Sequence, residues 1–217
     1  MNINPIDILS LRNHAINQIN SGNATLAIFY LNKILAINPK DFEANIQLAK
    51  IFTELKNYKS SLSILDKLNQ YHPNNENIFF LKGVNYFNTS EFNLALKCFD
   101  NAISLKSNFV DALCNKAVIQ RKLGFHRESV ETYSAAIAIN PDFGSYYSRG
   151  ISLLELNEID AAISDFKKSI QLNNNFPQAH LNCGIAYSLL NEFSKSIAAF
   201  NKALEINKNY TEALNNR

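Results

Sequence analysis

Histidine and cysteine are the residues of this chain that could ligate a metal or attack a substrate. They are His14, His72, His126 and His180, with Cys98, Cys114 and Cys183. Metal sites and metalloprotease centres need close pairs, as in CxxC or HExxH, and neither spacing occurs. Each cysteine falls at a different place in the local pattern and none has a base at a recognisable spacing. Glycine-rich phosphate loops are also missing. These residues predict no catalysis, no metal and no cofactor. The other polar chemistry is that of the carboxamide. Asn13, Asn115, Asn182 and Asn216 share one register position, which Gln47, Leu81 and Ser148 occupy elsewhere. A carboxamide both donates and accepts, so a row of them can pair with a peptide backbone whatever its sequence.

The remaining composition narrows the class. The 217 residues are 47% apolar, and 21 basic against 19 acidic side chains leave a net charge of +2. That is no footprint for nucleic acid or an anionic membrane. No apolar run approaches the roughly 18 residues of a membrane span. The opening MNINPIDILSLRNH lacks the charged and apolar regions of a signal peptide. Three widely spaced cysteines suit reduced thiols rather than a disulfide framework. A cytoplasmic protein is expected. With only six glycines, a helical chain is favoured over one of many tight turns.

The elements that position these residues come from a repeat. A small residue recurs at Ala15, Ala49, Gly83, Ala117, Gly150 and Gly184, in steps of 34, 34, 34, 33 and 34. Ala27, Ser61, Ala95, Ser129, Ala162 and Ser196 follow in the same steps. A large apolar group comes next at Leu31, Leu65, Phe99, Tyr133, Phe166 and Phe200. A fourth column holds Ile34, Leu68, Ala102, Ala136, Ser169 and Ala203. Each copy reads as two amphipathic helices that cannot bury both apolar sides alone but can when stacked. The copies are about 8–41, 42–75, 76–109, 110–142, 143–176 and 177–210, with 211–217 opening a seventh.

The columns have a packing logic. Glycine inside a helix costs about 0.8–1 kcal/mol relative to alanine. Gly83, Gly150 and Gly184 therefore predict crossings too tight for a side chain. The third column fills the space between the paired helices. Asn38-Pro39, His72-Pro73 and Asn140-Pro141 stop three of the second helices, because proline disfavours helical backbone in the residue before it. Seven residues after 210 are too few for an isolated helix, which needs roughly 12–15. The last hairpin is thus expected to leave an apolar flank, open to self-association or to a further part of the protein.

With its 34-residue period, its paired small residues, its aromatic in the second helix and its closing proline, the chain resembles the tetratricopeptide repeat family. The resemblance covers residues 8–217. The column where the family favours tryptophan holds Leu11, Asn45, Phe79, Leu113, Tyr146 and His180 instead. Lys82, Lys116 and Arg149 stand where leucine is frequent, and Arg149 is expected to reach Asp165. The resemblance implies an all-α fold: an α-solenoid of about six helix–turn–helix units, residues 1–217 forming one array with a right-handed superhelical twist. It implies a scaffold that binds a protein or peptide segment in a concave groove lined by the first helices. The groove is expected at Ile46, Lys50, Phe80, Val84, Phe87, Asn115, Val118, Tyr147, Ile151, Leu181, Asn182 and Ile185. The asparagine column also resembles the arrays ahead of O-linked N-acetylglucosamine transferase domains. A substrate-recruiting arm of a larger glycosyltransferase is the alternative expectation.

Overall fold

The structure is a computed structural model, and it describes residues 5–217. The described residues form helices joined by short turns. They divide into two compact units, the first closing at Ser107 and the second opening at Asn108. In unit 1, α1 (Pro5–Asn20) pairs with α2 (Ala24–Ile37), α3 (Phe42–Glu54) with α4 (Tyr58–Tyr71), and α5 (Glu76–Asn88) with α6 (Phe92–Leu105). In unit 2, α7 (Val110–Lys122) pairs with α8 (His126–Ile139), α9 (Phe143–Glu155) with α10 (Ile159–Leu172), and α11 (Pro177–Leu189) with α12 (Phe193–Ile206). The short α13 (Thr211–Asn216) follows.

The six hairpins turn in one way. The residue two beyond each first helix takes a positive φ: Gly22 and Gly124, but also Lys56, Ser90, Asn157 and Asn191. From each of these the amide bonds back to the helix, as from Lys56 to the Thr53 carbonyl, and the next amide bonds further back, as from Asn57 to Phe52. This double bond pattern closes the helix with its last carbonyls satisfied. The side chains of Asn23, Asp41, Asn57, Asn75 and Asp142 accept from the first amides of the helix that follows them.

Within each hairpin the small columns meet the large one. The third-column side chains Leu31, Leu65, Phe99, Tyr133, Phe166 and Phe200 are buried. A Cβ built on Gly83 would stand 2.7 Å from Phe99 Cε1. On Gly150 it would stand 2.7 Å from Phe166 Cε1, and on Gly184 2.5 Å from Phe200 Cε1. The tight crossings expected from these glycines are present, and the ring that forbids a side chain is the phenylalanine of the same hairpin.

The serines of the second column do more than stay small. Ser61, Ser129 and Ser196 each donate at 2.9 Å to the carbonyl of the small residue on the partner helix: Ala49, Ala117 and Gly184. Their hydroxyls thus tie the two helices together where the backbones are closest.

Residues 211–217, expected to open a seventh copy but to be too few for an isolated helix, form α13 over 211–216. The reason is that it is not isolated. Ala213 is fully buried against Leu181, Phe200 and Ala203, so α11 and α12 supply the stabilisation that length does not.

Candidate functional site

Within each unit some first helices also touch one another. α3 meets α5, and α7, α9, α11 and α13 meet in turn, whereas among the described residues successive second helices do not pack in this way. Each unit is therefore drawn together on its first-helix side, and the side chains there share one face.

Unit 1 brings Lys50, Phe80, Val84 and Phe87 to that side. Lys50 is exposed and the other three are half-buried. Phe80 lies 5.9 Å from the Phe99 ring and Phe87 lies 6.0 Å from Phe92, so both rings lean toward the second helix of their own hairpin. Ile46, expected to be open, is only 4% exposed. It packs with Ala49, Leu65, Leu68, Ile78 and Leu81, because α3 and α5 approach closely enough to close over it. Leu181 of unit 2 is corrected in the same way. It is 6% exposed and sits under α13 through Ala213. These two side chains hold first helices together and offer no surface to a ligand.

Unit 2 gathers Asn115, Val118, Tyr147, Ile151, Asn182 and Ile185, all half-buried. Tyr147 is the centre of this set. Its ring meets Phe176 edge-on at 4.8 Å and tilts over Phe166 at 6.0 Å. Its hydroxyl accepts from Asn182 Nδ2 at 3.1 Å, a bond that joins α9 to α11. Burial pushes the Tyr147 phenol up from its usual range, so it stays a neutral donor near pH 7. Asn115, Asn182 and Asn216 also donate Nδ2 to carbonyls one turn back on their own helices: Asp111, Gln178 and Glu212. Each amide is thereby oriented, with its carbonyl oxygen left as the free acceptor. Asn45, Asn85 and Asn88 make the same bond elsewhere, so the habit belongs to helical asparagine in this chain and not to one column alone.

Two features of unit 2 were not legible as site residues. Arg121 Nε is buried and has no hydrogen-bond partner. The signal was a basic residue in a column otherwise filled by Ile19, Thr53, Phe87, Leu154 and Ser188. Arg149 was expected to pair with Asp165, and does so bidentately: Nε to Oδ2 at 2.7 Å and Nη2 to Oδ1 at 2.8 Å. The third contact, Nη1 to Ser134 Oγ at 2.9 Å, ties α9 to α8 and was not foreseen. The Asp165 bond holds the guanidinium above its ordinary pKa, so this charge is structural and spent internally.

The cysteines are free thiols, with Cys98 and Cys183 buried. Burial raises all three, Cys183 to about 11, which makes them poor nucleophiles near neutral pH. Burial likewise lowers His180, which stays neutral. Among the described residues no three or more His, Cys, Asp or Glu side chains are grouped to hold a metal, and no helix is long and apolar enough to cross a membrane.

Comparison with known proteins agrees with this geometry. Tetratricopeptide repeat models match residues 19–82, 110–143 and 177–210, and a TPR repeat model matches 150–191. The DnaJ homolog subfamily C member 7 homolog of Dictyostelium discoideum is 20% identical over 176 residues, 73% of this chain and 33% of that protein. Human tetratricopeptide repeat protein 13 is 26% identical over 125 residues, 58% of this chain and 14% of that protein. The chain thus spans a third or less of the length of these curated relatives. Among solved structures, YrrB, described as a TPR protein with an unusual peptide-binding site, superposes with a TM-score of 0.74 at 19% identity. That match covers 85% of this chain and 96% of YrrB. The Cut9–Hcn1 hetero-tetramer of the APC/C gives a TM-score of 0.76 at 15% identity, over 96% of this chain and 42% of the matched one. With the columns, the hairpins and the family models in agreement, the chain belongs to the tetratricopeptide repeat family.

Proposed function

We propose that this chain is a protein-interaction scaffold, and that the first-helix face of unit 2 binds a peptide segment of another protein. The observation that carries the reading is the Tyr147–Asn182 pair, set among the half-buried Val118, Ile151 and Ile185. Apolar side chains there supply contact area, and oriented carboxamides at Asn115 and Asn182 supply backbone recognition. YrrB has a peptide-binding site on the same fold, which supports the choice of ligand class. Lys50, Phe80, Val84 and Phe87 form a second candidate surface on unit 1. The column spacing runs on unchanged from the third repeat to the fourth, which supports reading residues 1–217 as one array. Free thiols at Cys98, Cys114 and Cys183 support a cytoplasmic location.

The test uses the full chain against a printed library of peptides, with bound sequences re-measured in solution by fluorescence anisotropy. Tyr147→Ala combined with Ile151→Ser should weaken the best binders at least tenfold while the helical circular dichroism spectrum is retained. Unchanged binding by the folded double variant would remove the proposed face.

A further inference from the structure

Arg12, Arg127 and Arg149 each spend their charge on a carboxylate of this chain: Asp41, Glu158 and Asp165. Arg121, in the last turn of α7, does not. Its side chain is half-buried, its Nε is wholly buried without a hydrogen-bond partner, and among the described residues no Asp or Glu pairs with it. Asp111 at the start of α7 and Glu155 at the end of α9 are exposed, and Asp142 spends its carboxylate on the first amides of α9. A cation half-removed from water with no counter-charge is costly, so the position calls for an anion from outside the chain.

The surroundings narrow the anion. The guanidinium lies within electrostatic reach of the Tyr147 phenol, and so does the half-buried Tyr210 phenol at the start of α13. Tyr147 Oη accepts from Asn182, which leaves its own proton without an acceptor among the described residues. Donors lacking acceptors thus come to one place from α7 and α9. An ionised carboxylate matches them, because it only accepts, whereas a carboxamide brings donors of its own. Asn182 spends both Nδ2 hydrogens, on Tyr147 and on the Gln178 carbonyl, so its Oδ1 is left to accept a backbone amide. Val118, Ile151 and Ile185, on three successive first helices, offer apolar contact to a chain that continues past the charge.

We propose that the segment bound on the first-helix face of unit 2 carries an aspartate or glutamate within it, and that the Arg121 guanidinium and the Tyr147 hydroxyl hold that side chain's carboxylate. The proposal rests on the peptide-binding reading of this face and adds the charge of the ligand to it. Binding of the carboxylate supplies the counter-charge that Arg121 lacks and the acceptor that Tyr147 lacks, so the same contact selects the ligand and relieves the free protein.

The full chain is screened on the printed peptide library, and the best binders are re-measured by fluorescence anisotropy in altered forms. In one form the acidic residue becomes Asn or Gln, in another it becomes phosphoserine, and in a third the C-terminus is amidated. The binders should share an acidic residue, and neutralising it should weaken binding about tenfold. Phosphoserine should bind no more tightly, and amidation should change the affinity by less than about twofold. Arg121→Gln should weaken the acidic peptide about tenfold and its neutral form less than about twofold, a coupling that a folding defect would not produce. Tyr147→Phe should weaken the acidic peptide about threefold with the same selectivity. Should Arg121→Gln fail to fold, the peptide replacements on the unaltered protein still decide. Binders without acidic preference, tighter binding of phosphoserine, or dependence on a free C-terminus would each overturn the proposal. If such binders are lost in the Tyr147→Ala, Ile151→Ser variant, the peptide face stands without its charge. If they bind that variant unchanged, or if no peptide binds at all, the face falls with the proposal.

Discussion

Hairpins 5 and 6 bring their helices together with glycine facing phenylalanine, and hairpins 1 and 2 do so with alanine facing leucine. Gly150 and Gly184 oppose Phe166 and Phe200, as Gly83 opposes Phe99 in hairpin 3. Ala15 and Ala49 stand at the same position in the hairpins of Leu31 and Leu65. The exchange is one of volume across a fixed gap. A methyl on the first helix is traded for a larger ring on the second, and every third-column side chain remains buried. The difference teaches that neither position is selected alone. A glycine costs about 1 kcal/mol of helix propensity, and the extra carbon that the ring buries beyond a leucine, at about 0.8 kcal/mol per methylene-sized group, works against that cost. Hairpin 4 is a third solution, with Ala117 on one side and Tyr133 on the other, the phenol held by Ser148 on the next first helix.

The strongest way to break this comparison is to empty the ring position. Phe166→Ala should cost about 3–5 kcal/mol in urea denaturation, because nothing on Gly150 can fill the void. A loss under about 1 kcal/mol would show that the two helices collapse together and that the gap is not fixed. The next effect is smaller and more specific. Gly83→Ala should cost about 1–3 kcal/mol by pushing on Phe99, despite the better helix propensity of alanine. Adding Phe99→Leu should recover at least half of that loss, because the pair then has the composition of hairpin 2. Additive losses in the double variant would refute the coupling. The smallest effect belongs to the turn, which both kinds of hairpin share. Lys56→Gly in hairpin 2 and Ser90→Gly in hairpin 3 should each add about 0.5–1 kcal/mol, since both residues sit at positive φ. Unequal gains would mean that the crossing chemistry reaches the turn.

The hairpins and their close crossings were legible because they rest on side-chain size at fixed spacing. Gly83, Gly150 and Gly184 announced a contact that the backbone then makes. The site was less legible. Periodicity says which way a side chain points from its own helix, but not how closely the next helix approaches. Ile46 and Leu181 share a register position with Tyr147, yet they are buried while Tyr147 is half-open. The cause is what faces them: Ile78 and Leu81 in one case, Ala213 in the other. The contacts of Ser61 with Asn85 and of Ser129 with Ser152 were missed for a related reason. Serine at a position that demands a small residue looks like a substitute for alanine until the neighbouring helix is placed beside it.

The second column alternates alanine with serine, and the next first helix brings hydrocarbon to Ala27 but a hydrogen-bonding side chain to Ser61 and Ser129, which has a consequence for how such a chain can change length. Loss of the second repeat alone would set Ala27 against Asn85 and bury a carboxamide without Ser61 and Thr53, its two partners on the neighbouring hairpin. Loss of the second and third together would set Ala27 against Ile119, which keeps hydrocarbon on hydrocarbon. Removing repeats in pairs should therefore cost less stability than changing the count by one.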